Sequence, residues 1–359
     1  GDDAPAEAAK LPDRVANEPI FPPYIRNQDA GVAVFRPAAA SRMLGEDVVA
    51  SIVSECIGGD LAAVGKQALV DMSRSEFLKL GCKQIEWIAC GLRFGRGRSA
   101  DRDDLHSVMF NGITLRTEAP FDWLTLLRQW RFEMIEVHAG RRGYFQLKGP
   151  LAPILGPGVP CVYLPDDRTI VLDDEDSIRT FAANEAPLRP AYLQSEEWRR
   201  ASRGLLAVAI NNEDGSFAKQ YDLGRADDAI ALSLFKGAAY WVLGVDESAD
   251  LAMHLEARCQ DLATRERITR EVEGLLKIGR ATIQDAEAVD GSAEAMTIID
   301  RMTKALIANL RIEHTDRTLG LHSQGFGTLA DVGSILKAEA ENDQRRNSVA
   351  ADGPKSTKR

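Results

Sequence analysis

The chain is predicted to be an α+β protein of two related lobes, each a β-α-β-β-α-β unit with an antiparallel sheet and helices packed on one face. Three observations predict this. An apolar strand pattern opens at Gly31-Val32-Ala33-Val34-Phe35-Arg36-Pro37 and again at Leu205-Leu206-Ala207-Val208-Ala209-Ile210. Each opening is followed by a helix, two strands, a further helix and a closing strand, which reads as a weak internal duplication. A Pro-Asp-Asp turn between two short apolar strands separates the two copies. With 359 residues and 45% hydrophobic content the chain can bury one large core or two ordinary ones. The repeated rhythm favours two.

Residues 1–26 carry Pro5, Pro12, Pro19, Pro22 and Pro23 among alanines and charges, and read as a flexible arm. The first lobe spans 27–150. After its opening strand it has a helix over 41–57 and paired strands over 85–94 and 108–117. A helix then begins at Pro120-Phe121-Asp122-Trp123, with Trp123, Leu127 and Trp130 on one stripe. Strands over 135–138 and 143–147 follow, joined by the turn Ala139-Gly140-Arg141-Arg142. A connecting unit, 151–203, holds the strands on either side of Pro165-Asp166-Asp167, where proline presets φ and aspartate tolerates the tight turn. Val162, Leu164, Ile170 and Leu172 are its expected buried positions. The acids over 173–176 and Ser177 supply the cap and first turn of a helix running to Ala183. Pro187 and Pro190 end that unit, and 196–202 leads into the second lobe.

The second lobe spans 204–339. It is expected to carry a helix over 225–236 and strands over 239–245 and 251–259. A helix over 264–283 would place Ile268, Val272, Leu275, Leu276 and Gly279 on one face, and another over 292–310 would bury Ile299, Met302, Leu306 and Leu310. A hairpin around Asp316-Arg317 closes the lobe, in the place that Arg141-Arg142 holds in the first. Residues 340–359 lose apolar periodicity and read as a disordered tail.

Net charge is −10 and the isoelectric point about 5.2, which opposes the attraction that nucleic acids and anionic membrane surfaces require. No stretch approaches the ~20 apolar residues of a membrane-spanning helix, and the acidic opening Gly1-Asp2-Asp3-Ala4-Pro5 lacks the basic start of a signal peptide. The chain as given reads as soluble, or as a piece cut from something anchored. Cys56, Cys82, Cys90, Cys161 and Cys259 are scattered and odd in number, so neither a disulfide framework nor a zinc motif follows from their spacing.

The candidate chemistry is sparse. Among His106, His138, His254, His314 and His322, the pair His138 and His314 flanks corresponding hairpin turns, but their neighbours differ: Glu136 and Arg141 beside one, Glu313 and Asp316 beside the other. No HExxH, HxH or CxxC motif accompanies them, so structural roles are expected and no metal ligand is assigned. Three acidic runs, 101–104, 173–176 and 211–215, are the places where a calcium loop could be sought. With Gly215 at the invariant glycine, Ile210 and Tyr221 fall where carboxylates are required. Glycine-rich phosphate loops and the G-x-S-x-G elbow are missing too. The basic loop over 93–102 is offset by Asp101, Asp103 and Asp104.

The arm ending Pro22-Pro23-Tyr24, the strand from Gly31 to Ala38, the helix start Phe121-Asp122-Trp123 and the segment Pro165-Asp166-Asp167-Arg168-Thr169-Ile170-Val171 resemble a family of extracytoplasmic domains of planctomycete-type bacteria, sometimes joined to membrane-anchored peptidase-like or sigma-factor-like segments. The resemblance spans most of 22–339 and implies export and a sensing or scaffold role. It brings no catalytic residues. The expected function is a non-enzymatic binding or sensory domain outside the cytoplasm, for a protein or small-molecule partner, with no catalytic, cofactor-binding or metal residues. The alternatives are a hydrolase whose acids meet only in the fold, and a cytoplasmic placement.

Overall fold

The computed structural model describes residues 18–26, 29–45, 49, 81–96, 106–140, 142–149, 152, 159–184, 190–215, 233–234, 236–246, 250–285, 294–328 and 330–335. The strands are β1 (Gly31–Phe35), β2 (Ile85–Arg96), β3 (His106–Thr117), β4 (Glu133–Ala139), β5 (Arg142–Lys148), β6 (Pro160–Tyr163), β7 (Thr169–Asp174), β8 (Leu206–Asn211), β9 (Ala238–Asp246), β10 (Ala252–Cys259), β11 (Arg311–His314) and β12 (Thr318–Gln324). The helices are α1 (Pro37–Leu44), α2 (Trp123–Gln129), α3 (Glu175–Ala183), α4 (Glu196–Ala201), α5 (Leu262–Asp285) and α6 (Glu294–Asn309). Helices and antiparallel strands together make an α+β fold. Most of the expected helix over 225–236, the basic loop tip, the acids over 101–104, most of 41–57, Arg141, Cys56 and the tail over 340–359 lie outside the described residues.

The two expected sheets are one. All described strands join a single antiparallel sheet in the order β11-β12-β10-β9-β8-β1-β2-β3-β7-β6-β5-β4. The seam is the pairing of β1 with β8, from Gly31 opposite Ile210 to Phe35 opposite Leu206. The physical reason is the edge-strand problem: separate sheets would leave β1 and β8 with unpaired backbone groups in the middle of the molecule, where Val32, Val34, Ala207 and Ala209 are buried. Gly31 belongs to that seam, because a Cβ there would strike the backbone of Ala209.

Helices occupy both faces, which corrects the one-face expectation. On one face α1, α2, α5 and α6 pack against Phe35, Ile88, Leu115 and Trp241. The opposite face is covered by the connecting unit: α3 over Cys161, Tyr163 and Val171, and α4 over Ala207, Tyr240 and Val242. Period-2 alternation explains the division. Ile170 points to the α2 side and its neighbour Val171 to the α3 side, so a strand apolar on both faces needs a layer on each. The single turn of α4 is specified locally, with the Ser195 hydroxyl accepting from the Trp198 amide (3.1 Å), Glu196 and Glu197 in its first turn and Arg199 and Arg200 in its last. The arm from Ile20 to Ile25 lies on the same face and is ordered there. Trp198 donates its indole N–H to the Ile20 carbonyl (2.9 Å), and Arg26 pairs with Asp173 and Asp174.

Other boundaries moved for local reasons. Pro37 starts α1 four residues before the expected position, because a proline suits the first helical turn. In α5 and α6, Ile268 and Val272 are buried, whereas Leu275 and Ile299 are exposed.

The β6–β7 hairpin has Val162 and Ile170 buried against α2, with Leu164 and Leu172 packed at the margin. The tip carboxylate that makes hydrogen bonds is Asp166, which accepts from the Arg168 amide (2.9 Å) and from Arg116 (3.2 Å). Ile170→Ala is expected to cost about 2–4 kcal/mol, and Asp167→Asn less than about 1 kcal/mol, as for a surface change. Paired urea melts check this; a large loss from Asp167→Asn beside a neutral Ile170→Ala would reverse the assignment.

Candidate functional site: a carboxylate and imidazole row across the sheet

Sheet register assembles the polar constellation that linear spacing does not reveal. His254 on β10 lies directly opposite Gly244 on β9 and His322 on β12, and His322 in turn lies opposite Arg311 on β11. The next row on the same face is Val242, Glu256, Gly320 and Glu313, and beyond it stand Tyr240, Arg258 and Thr318. Residues directly opposite in antiparallel strands share a face, so these polar side chains converge on the side that carries α4.

The two imidazoles stack with centroids 6.3 Å apart and planes 22° from parallel. Each has a carboxylate on its outer side: Asp246 Oδ2 lies 3.8 Å from His254 Nδ1, and Glu313 Oε2 lies 3.8 Å from His322 Nε2. Glycines make room for the rings. A Cβ on Gly244 would overlap the His254 ring and come 2.9 Å from Cα of Ala201 in α4, and a Cβ on Gly320 would stand 2.6 Å from His322 Nε2.

Beneath α4 the row is sealed. His254 is 5% exposed and Glu256 2%. His254 Nε2 and both Glu256 carboxylate oxygens have no hydrogen-bond partner. Arg200 brings its guanidinium to 3.1 Å from Glu256 Oε1, within ion-pair distance, but its side chain is 57% exposed. Burial pushes the Glu256 carboxyl above its ordinary value of 4.5, against the pull of Arg200 and with help from Glu197. Burial holds the His254 imidazole below its ordinary 6.5; Asp246 opposes this, and His322 and Arg200 reinforce it. Glu197, also buried, is fully engaged by contrast, accepting from Thr318 Oγ1 (2.8 Å) and the Tyr240 hydroxyl (3.2 Å). Burial, followed by the Glu197 charge, lifts the Tyr240 phenol to about 12.

The residues singled out from sequence fare differently. His138 on β4 and His314 on β11 stand on opposite edges of the sheet and form no site. The acids over 173–176 are taken up by protein partners: Asp173 and Asp174 pair with Arg26, Asp174 caps α3 through the Ser177 amide (2.9 Å), and Glu175 accepts from Tyr144 (3.1 Å) and Arg179 (2.8 Å). In the turn over 211–215, the Asn211 side chain accepts from the Glu213 amide (3.1 Å) and Asn212 donates to the Ala238 carbonyl (3.1 Å). Burial lifts the Cys161 thiol to about 12 and the Cys259 thiol to about 11, which makes both poor nucleophiles. Among the described residues no cluster of three or more His, Cys, Asp or Glu has the geometry of a metal site, and no helix is long and apolar enough to cross a membrane. A shallow depression on the helical face, lined by Arg265, Thr269, Arg270 and His314, is structural in character: Arg265 donates to the carbonyls of Thr315 (2.6 Å) and Asp316 (3.3 Å) and so ties α5 to the β11–β12 turn.

Sequence reading missed Glu256, Arg200 and the pairing of His254 with His322. The one available signal was His254-Leu255-Glu256 in a strand, two ionisable groups two residues apart and so on one face. No protein-family model and no curated protein matches the chain. Among solved structures the chain is similar to crystal form I of TP0453, with a TM-score of 0.39 and 8% identity over 89% of this chain and 98% of that one. It is likewise similar to crystal form IV of TP0453, with a TM-score of 0.41 and 9% identity over 90% and 98%.

Proposed function

We propose that this chain is a non-enzymatic binding or sensory domain that works outside the cytoplasm. The observation that carries the reading is the burial of the two groups in the polar row best placed for acid–base chemistry: Glu256 (2% exposed) and His254 (5% exposed) lie under α4, out of contact with solvent. What the row offers to the outside is a strip of mixed charge on β10, β12 and β11, with Arg258 and Glu313 well exposed and His322 partly so. Such a strip suits a protein partner of complementary mixed charge. The extracytoplasmic placement rests on the resemblance of the arm, the first strand and the Pro165 turn to exported bacterial domains.

The duplicated architecture belongs to the same reading. The order β8-β9-β10-β12-β11 runs in parallel with β1-β2-β3-β5-β4 once the inserted β6–β7 hairpin is set aside. In one half α3 covers β5, β6 and β7 on the face where, in the other half, α4 covers β8 and β9 and leaves the strip on β10, β12 and β11 exposed.

A hydrolase is the competing function, since a carboxyl held above its ordinary range beside a perturbed histidine is what acid–base chemistry uses. Purified protein and its Glu256→Gln variant are to be compared on chromogenic esters, phosphoesters and glycosides. Equal background rates are expected. Turnover that falls roughly 10²–10⁴-fold in Glu256→Gln, the usual contribution of a general acid or base, would replace the binding reading by the enzymatic one.

A further inference from the structure

The contact between α4 and the sheet is closed over an acid and a base that stand two residues apart on β10: Glu256 Oε1 has only the mostly exposed Arg200 within ion-pair distance and His254 Nδ1 only Asp246 at 3.8 Å, while Glu256 Oε2 and His254 Nε2 have no partner. Burying either as an ion costs more than burying it as a neutral group. We propose that the α4–sheet contact closes over Glu256 as a carboxylic acid and His254 as a neutral imidazole, so that closure moves one proton from imidazole to carboxyl with no net uptake. In the open contact, in mildly acidic water, the proton sits on His254 and Glu256 is a carboxylate. On closure the imidazolium N–H bond breaks, the Glu256 O–H bond forms, and solvent carries the proton between them. The inference goes beyond the binding reading and does not depend on it.

Every charged or titratable neighbour of the pair enters the balance. From α4 come Arg200, which favours the Glu256 carboxylate, and Glu197, which opposes it. From β9 come Asp246, which favours imidazolium at His254, and the Tyr240 phenol, bound to Glu197. On β10 itself Arg258 lies 3.8 Å from Glu197. From β12 comes His322, which disfavours imidazolium at His254 and favours carboxylate at Glu256. From β11 come Glu313, which opposes the Glu256 carboxylate, and Arg311, opposite His322. For both groups burial is the largest influence and sets the direction.

The two groups have opposite linkage. A carboxyl raised in the folded state contributes stability that is full below its ordinary 4.5 and is lost as pH rises through the raised value. An imidazole lowered in the folded state loses stability as pH falls from its ordinary 6.5 through the lowered value. Over the range between these ordinary values the two losses run against each other, and the closed contact is buffered.

The test is the melting temperature of the full chain from pH 4.5 to 7.5, read as variant minus wild type. Glu256→Gln is expected to be the more stable protein at pH 7.5 and to lose that advantage toward pH 5. His254→Gln is expected to gain relative to wild type as pH falls, and the double variant is to follow the wild-type slope. Arg200→Gln, a change at an exposed side chain that leaves the core intact, keeps the test decisive if a buried variant fails to fold. It should steepen the loss of stability above pH 5, and Glu256→Gln should abolish that extra slope. The same sign of slope for Glu256→Gln and His254→Gln would overturn the proposal. So would an Arg200→Gln profile parallel to wild type, or a Glu256 carboxyl carbon that titrates by NMR at or below 4.5.

Discussion

Trp198→Ala is expected to destabilise the protein by about 3–5 kcal/mol, the range for removing a buried tryptophan. Trp198 is 0% exposed and stands at the centre of the cluster formed by Ile20, Ile25, Val34, Ala209, Tyr240 and Val242. It is also the rivet between three layers: α4, which carries it, the sheet beneath it, and the arm, whose Ile20 carbonyl accepts its indole N–H. Alanine would leave a cavity, an unsatisfied carbonyl and a one-turn helix with little else to hold it down. Trp198→Phe keeps most of the buried area and loses the hydrogen bond, so a smaller cost of about 1–3 kcal/mol is expected. Urea denaturation, with limited proteolysis of the arm as a second readout, checks both. If Trp198→Ala unfolds at the wild-type midpoint with the arm still protected, the layered core is not organised around this residue.

The second large effect is expected at Arg36, 4% exposed at the junction of β1 and α1. Its guanidinium donates to three backbone carbonyls from distant parts of the chain: Gly204 (3.2 Å), Ser202 (3.0 Å) and Glu18 (2.6 Å). Its own amide donates to the Leu205 carbonyl (3.0 Å). The side chain therefore holds the turn after α4 and the arm at Glu18 against the β1–β8 seam. Arg36→Met keeps much of the apolar stem and leaves the Gly204 and Ser202 carbonyls buried without this donor, and about 3–5 kcal/mol should be lost. Arg36→Lys restores one charged donor but not the planar fork, and should recover only part of that loss. Chemical denaturation of both variants gives the comparison. Equal stability of Arg36→Met and wild type would show that water replaces the guanidinium at these carbonyls.

Both residues expose the limit of reading this chain as a string. Arg36 was legible as the end of a strand pattern and Trp198 as part of an approach to the second lobe, and neither position announces its partners. Ile20, Ser202 and Gly204 meet them only because the arm and the connecting unit fold back over the open face of a continuous sheet. That continuity escaped the sequence because edge pairing between β1 and β8 leaves no mark in periodicity. A strand with both faces covered reads alike whether its neighbour comes from its own lobe or from the other.

Local chemistry alone determined much of this protein. Alternating apolar residues placed the strands, Asp122, Asp174 and Ser195 began helices through side chains that accept from amides three residues on, and the Pro165 turn formed where its residue types demand it. These are interactions within a few residues, and the sequence carries them in full. Tertiary structure decided which faces the layers cover and which polar groups meet. His254 and His322 are partners only through the register of β10 against β12, and Glu256 becomes an acid out of contact with water only because α4 lies over it. Burial moves His254 and Glu256 from their ordinary values and cross-strand register chooses their neighbours, and both depend on residues far apart in the chain.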